Sequence, residues 1–519
     1  MAEPAGSGVR LTRNTLSMLG ARTLMALAGL VSLPVVYQHL GPREFGVWVL
    51  LSGLLAMAAV LDLGFGSALV REVAAAGEDT DPVTVRRLLG LGLAWGVLLG
   101  LLVLGALAAG WPWISHLLRL GDLTRDAWHA TLWLVLGVVA GGVEVPWRAV
   151  LEGVQRYSAL AAVTGATAVL GAVLAITAVR LGGGLVALAA CTATTGVLRT
   201  ALLAATAEHR HRHLAPRPGR LSRRDLRRVT GYGLRVQVSS GAGAMNVEFD
   251  RLVVGGFFGP TVAGAVDLGV RLLNLLRLPP GFALLVLFPA AVRRTVTGGR
   301  AWLDAFYLTA VRHLTLFLAP AAAALMVSAD PLVRLWLGHP VPWAAATIAV
   351  LAPAYALNLV TGAATIVARV EGRPGLETRY VLLSVLLNLA LTVPLLVLVG
   401  PLGVPLATAL GIVLATGYFV VHFHRATARP LRPTLRTLWP PVAAATGAGL
   451  ATAALAGLLP DGPGRLGAGL AVAARATLTL ALTAVPLTLC GYLRADERTR
   501  LRSLAGAARA AVVPVGGRR

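Results

Sequence analysis

The stretch VGGFFGPTVAGAV (254–266) closes one apolar run and opens the next through a Gly-Pro turn. Its counterpart stands 218 residues earlier, in YQHLGPREFGVW (37–48). Gly41-Pro42 aligns with Gly259-Pro260, and Gly46 with Gly264, at that one offset. Proline suits the first turn of a helix, where its missing N–H would be unsatisfied anyway, and a preceding glycine supplies the reversal. Outward from these turns, apolar runs recur along the whole chain. They predict spans over 14–38, 45–70, 87–110, 127–147, 158–180, 184–207, 229–254, 261–289, 302–327, 343–367, 378–399, 402–423, 438–459 and 467–493. Six spans separate the two turns, and an even number leaves both copies in the same orientation. Parallel repeats of this kind are related by an axis along the membrane normal, with a cleft between them.

The expected fold is therefore an all-α polytopic membrane protein of 14 transmembrane helices. It divides into a cytoplasmic N-terminus (1–13), a six-helix bundle (14–207), a basic linker (208–228), a second six-helix bundle (229–424), a basic loop (425–437), a helix pair (438–493) and a tail (494–519). Composition points the same way: 56% of the 519 residues are hydrophobic and 13% charged, against about 25% charged in soluble domains. All 46 basic residues are arginine. Without lysine there is no Gly-Lys-Ser/Thr phosphate loop and no Schiff-base chemistry, so the chain drives nothing with a nucleotide loop of its own. The net charge of +23 is mostly topology. Some 30 of the 46 arginines lie in the N-terminus, the even-numbered connections and the tail, above all in EHRHRHLAPRPGRLSRRDLRR (208–228). The positive-inside rule puts both termini in the cytoplasm, and arginines dispersed over short loops are no nucleic-acid footprint. Cys191 and Cys490 lie in apolar runs and imply no disulfide framework.

Ionised groups at membrane depth are expensive and mark function. Here they concentrate in the first hairpin of each repeat: Arg22 and Asp62 in the first, and Arg235, Glu248, Asp250, Arg251, Asp267, Arg271 and Arg277 in the second. Glu144, Arg199, Arg312 and Arg475 lie nearer span ends, where long side chains reach the interface. Five interior arginines against four acids, on hairpins equivalent by the repeat, predict a polar cavity suited to an anion, since arginine holds phosphate oxygens bidentately. The opposing reading is structural: Glu248–Arg251 and Asp267–Arg271 stand three and four residues apart, a spacing that forms pairs along one helix. Prolines such as Pro34, Pro146, Pro279 and Pro280 free backbone carbonyls and kink spans, or simply accompany tight packing.

NTLSMLGARTLMALAGLVSLPVVYQHLGPREFGVWVLLSGLLAMAAVLDLGFGSALVRE (14–72) resembles the opening of Wzx-type polysaccharide-repeat flippases, of the multidrug/oligosaccharidyl-lipid/polysaccharide exporter superfamily. Asp250-Arg251, FFGP (257–260), RLLNLLRLPPGFALLVLFP (271–289) and ADPLVRLWLG (329–338) continue the likeness, which covers roughly residues 10–495. The resemblance implies two six-helix bundles in a V, lined by spans 1, 2, 7 and 8. It implies a flippase, not an enzyme, that carries an undecaprenyl-pyrophosphate-linked oligosaccharide across the cytoplasmic membrane by alternating access, beside other polysaccharide-assembly membrane proteins. From related lipid II flippases it makes Arg22, Arg251 and Arg271 candidates for the pyrophosphate, with Arg235 and Arg277 as further cavity arginines and Asp62 and Asp267 as cavity acids. It gives spans 13–14 a lipid-tail groove. It also points to Asp250 and Asn388 for an ion, although the second acid expected a turn later is Thr392. No cofactor is implied, and coupling is open among the membrane potential, Na+ and H+. The alternatives are a drug or metabolite exporter of the same superfamily, or a membrane polymerase or glycosyltransferase. Fourteen spans and cavity arginines weigh against the first, and the lack of sizeable external loops against the second.

Overall fold

The computed structural model describes residues 7–60, 64–76, 81–217, 219 and 223–493, apart from the side chains of 7–16, 58–60 and a number of positions within 224–247 and 285–297. The described residues are overwhelmingly helical: α1 (Ser7–Val60), α2 (Phe65–Ala74), α3 (Pro82–Leu117), α4 (Thr124–Gly153), α5 (Tyr157–Arg180), α6 (Leu185–His211), α7 (Arg223–Phe258), α8 (Pro260–Leu273), α9 (Leu278–Val327), α10 (Ala329–Leu337), α11 (Pro342–Val360), α12 (Gly362–Val370), α13 (Gly375–Val399), α14 (Gly403–Ala426), α15 (Leu431–Ala454) and α16 (Gly464–Leu489). Nine stretches among the described residues are long and apolar enough to cross a membrane. Two of them, Ser17–Met57 and Gly375–Ala426, each take in two of the spans expected from sequence. The protein is a multi-pass membrane protein.

Each helix boundary has a local cause. α1 runs through Gly41, whose φ of 78° and ψ of 166° break it into two passes, and Gly259, before α8, adopts nearly the same conformation at 84° and 172°. The two turns matched by sequence are thus the same turn in space. α3 opens on Asp81, whose side chain accepts a hydrogen bond from the Thr84 amide, with Pro82 in the first turn.

Three expected spans are interrupted. The second, 45–70, is interrupted at a left-handed Gly64, after which α2 begins. The eighth, 261–289, passes through a short 3-10 turn at Asn274–Arg277 ahead of Pro279-Pro280. The tenth, 343–367, breaks at Thr361. Other helices outrun the apolar windows, α3 and α7 most of all, because hydropathy senses the hydrocarbon core while a helix continues into the interface.

Helices α1 to α6 pack largely on one another, and α7 to α16 likewise. The two sets meet mainly where α1 lies on α7, α8 and α10 and where α2 lies on α7. Close approach there is made by glycine: a Cβ on Gly46 would stand 2.0 Å from the Pro260 carbonyl oxygen, and one on Gly264 would stand 3.0 Å from Gly46 Cα. Gly46 and Gly264 stand at matching positions of the sequence repeat and lie against each other here. Phe45, Leu268, Leu337 and Ile348 are fully buried around this contact.

Candidate functional site

Asp250 and Arg251 are neighbours in sequence but leave α7 about 100° apart, the rotation per residue of an α-helix, and meet different partners. Arg251 turns toward α8. Its guanidinium pairs with Glu248 one turn back (2.5 Å) and with Asp267 across the helix interface (2.7 Å). Asp267 has no exposed side-chain surface, and its other oxygen is taken by Arg271. Arg271 is 30% exposed and lies 5.4 Å over the Trp48 ring of α1. Glu248 faces Gly53 of α1, where a Cβ would approach its carboxylate to 2.9 Å. Two acids and two arginines thus form one neutral network along the seam of α1, α7 and α8. Both expected helix-internal pairs form, and the bridge from Arg251 to Asp267 joins them.

Asp250 faces the other way, toward α13 and α14. Asn388 donates from its amide nitrogen to Asp250 (3.0 Å) and to Asn246 Oδ1 (2.9 Å). Thr408 donates to the second Asp250 oxygen at 2.8 Å. Thr392, where an acid was expected, donates to the Asn388 carbonyl (2.8 Å) and lies 3.3 Å from its side-chain oxygen. No arginine pairs with Asp250 among the described residues. The donor set is all oxygen: one carboxylate, two amide carbonyls and two hydroxyls. That set suits a hard cation.

Arg277 leaves the 3-10 turn with its guanidinium 4.1 Å over the Tyr355 ring and no ion pair among the described residues. Arg22 is exposed on α1, also without such a pair. Asp62 and the side chain of Arg235 lie outside the described residues. The charges near span ends have partners of their own. Glu144 is buried and pairs with Arg199 at 2.6 Å, tying α4 to α6, while Arg312 donates to the Tyr492 carbonyl and Arg475 to Val327 and Asp461. An apolar groove of about 620 Å³ runs along α9, lined by Pro279, Pro280, Trp302, Phe306 and Phe317 with His313. Sequence reasoning missed Asn246 and Thr408 as partners of Asp250. A polar residue one turn before an intramembrane acid was the available signal for Asn246, whereas Thr408 looks like any helix threonine bonded to its own backbone.

Among the described residues, long apolar helices with ion-pair networks buried between them define the class of polytopic all-helical membrane proteins. The chain is a member of the polysaccharide biosynthesis protein family, whose pattern matches residues 38–346. No curated protein matches it in sequence. Solved structures share its fold. A lipid II flippase, MurJ, in an inward closed conformation superposes with a TM-score of 0.69 at 12% identity, covering 90% of this chain and 98% of that one. An inward-facing multidrug resistance MATE family transporter of the MOP superfamily gives 0.63 at 17%, covering 80% and 98%. A MOP superfamily transporter from Pyrococcus furiosus, described as having a binding pocket of reverse polarity, gives 0.53 at 18%, covering 81% and 95%.

Proposed function

We propose that the protein is a flippase that moves an undecaprenyl-pyrophosphate-linked oligosaccharide from the inner to the outer leaflet of the cytoplasmic membrane, by alternating access, for cell-surface polysaccharide assembly. The observation that carries this reading is the arginine set Arg251, Arg271 and Arg277 on α7, α8 and the turn between α8 and α9. A pyrophosphate offers oxygens in the spacing that guanidinium groups grip bidentately, and arginine stays charged at every stage of a cycle. Asp267 holds Arg251 and Arg271 in place when no head group is present, and the phosphate oxygens compete for the same N–H groups when one arrives. Family membership supports a role in polysaccharide assembly, and the fold shared with a lipid II flippase supports a lipid-linked cargo.

In this reading the chain crosses the membrane fourteen times with both termini cytoplasmic. Residues 14–207 and 229–424 form two bundles that rock about the Gly46–Gly264 contact. Arg22 and Arg235 complete the cavity lining with Asp62, and helices α15 and α16 guide the lipid tail, with the groove along α9 as a second apolar surface beside Arg277. Asp250 and Asn388 couple the cycle to a cation. A carboxylate at membrane depth that is met only by neutral donors lacks a compensating charge, and a bound Na+ or H+ supplies it.

The test is restoration of surface polysaccharide in a flippase-null strain, with membrane levels checked by blotting. Combined Arg22→Ala, Arg251→Ala and Arg271→Ala should abolish restoration without loss of insertion, and Arg→Lys should restore it only in part. Full activity of the triple variant overturns the proposal. Normal polysaccharide together with drug resistance lost on deletion of the gene would replace it with the exporter reading.

A further inference from the structure

Pro34 lies inside α1 and has no N–H, so the carbonyl of Leu30, four residues back, receives no helical hydrogen bond. A carbonyl left open in a helix within the membrane must find another donor. Here the donor comes from a different part of the chain: the indole N–H of Trp336, on α10, reaches the Leu30 oxygen at 2.7 Å. Contacts on either side fix the same approach. Gln38 donates its side-chain amide to the Leu337 carbonyl, the Tyr37 and His339 rings stack at 5.5 Å, and Leu33, Val36 and Tyr37 pack with Val333 and Leu337 in one buried cluster. From α10, Arg334 holds Asp461 at 2.7 Å, and Asp461 also receives Arg475 of α16 at 3.2 Å.

We propose that Trp336 is a latch on the Pro34 hinge of α1. While the ends of α1 and α8 bearing the Gly-Pro turns are together, the indole satisfies the open carbonyl and the hinge is held. Parting α1 from α10 at that end removes the donor, and the Leu30 carbonyl then regains a partner only by bending out toward water or another polar group. The hinge therefore has two arrangements, and the latch selects between them. The segment of α1 that carries Arg22 lies on the far side of the hinge, so unlatching reorients it. The chain of contacts from Arg334 through Asp461 to Arg475 lets α16 bias the same equilibrium. The inference uses alternating access but not the identity of the cargo.

The experiment reads distances by pulsed electron resonance between spin labels at Leu181→Cys and Leu398→Cys, with Cys191 and Cys490 replaced by Ser, in substrate-free nanodiscs. Trp336→Phe removes only the donor and should raise the long-distance population about three- to tenfold, the scale of one net hydrogen bond. In a Pro34→Ala background the restored N–H closes the carbonyl within the helix, and Trp336→Phe should then change nothing. If Trp336→Phe yields no monodisperse protein, 3-benzothienylalanine at 336, isosteric but without the N–H, takes its place. Unchanged distances, or an equal effect in both backgrounds, would overturn the latch. Because no substrate is present, either result leaves the flippase reading to its own test.

Discussion

Asp267 carries the largest electrostatic consequence of any one side chain in the seam. It is fully buried and holds two guanidinium groups, whereas Glu248 is 16% exposed and holds one. Replacing Asp267 by Asn leaves Arg251 with Glu248 alone and Arg271 with no ion pair among the described residues. Removing one partner of a buried ion network costs about 3–5 kcal/mol, so Asp267→Asn should lower the thermal midpoint in detergent well beyond Glu248→Gln. A polyprenyl-pyrophosphate ligand should recover part of that loss, because it returns negative charge to the same guanidinium groups. Equal midpoints for the two variants would show that the network is not organised around Asp267. The sequence revealed the members of this network but not its wiring. Helical spacing exposes partners three or four residues apart, while the Arg251–Asp267 bond depends on how two helices are set against each other. The same holds for Trp336, whose acceptor lies 306 residues away.

At the scale of elements, the repeat was legible because a Gly-Pro turn has strict backbone demands. Gly41 and Gly259 both sit at positive φ, where a side chain is strained. The interruptions of spans 2, 8 and 10 were not legible, since a short 3-10 turn or a single left-handed glycine leaves hydropathy unchanged. The pairing of Gly46 with Gly264 gives a graded prediction. A methyl on Gly46 would overlap the Pro260 carbonyl, with 2.0 Å available, so Gly46→Ala should force the α1 and α8 turns apart and cost roughly 1–3 kcal/mol. Gly264→Ala has 3.0 Å and should cost less. Gly29, on the same helix with nothing within 4 Å, is the control: its replacement by Ala should be neutral or stabilising, because alanine is the better helix former. Thermal midpoints by fluorescence-detected gel filtration would rank the three, and the reverse order would refute the close-contact argument.

For the whole molecule acting as the proposed flippase, the decisive quantity is the charge moved in one cycle. Arginines of the carrier return to their starting places and contribute nothing net, however tightly they hold the head group. A pyrophosphate-linked lipid takes about two negative charges outward, and each is worth roughly 2.3 kcal/mol per 100 mV, so a cytoplasm at negative potential releases about 4–5 kcal/mol on each passage. If Asp250 and Asn388 carry one monovalent cation inward in exchange, the same potential acts on a third charge and the drive rises to about 7 kcal/mol. In proteoliposomes with equal sodium and equal pH on both sides and the potential set by a potassium gradient and valinomycin, the leaflet distribution of a fluorescent polyprenyl-pyrophosphate glycan reports that number as its dependence on voltage. The expected dependence corresponds to three charges for the native chain and to two for Asp250→Asn, which keeps the hydrogen bond from Thr408 but cannot hold a cation by charge. A native value of two, unchanged by the substitution, would mean that Asp250 moves no ion and that the membrane potential alone empties the inner leaflet.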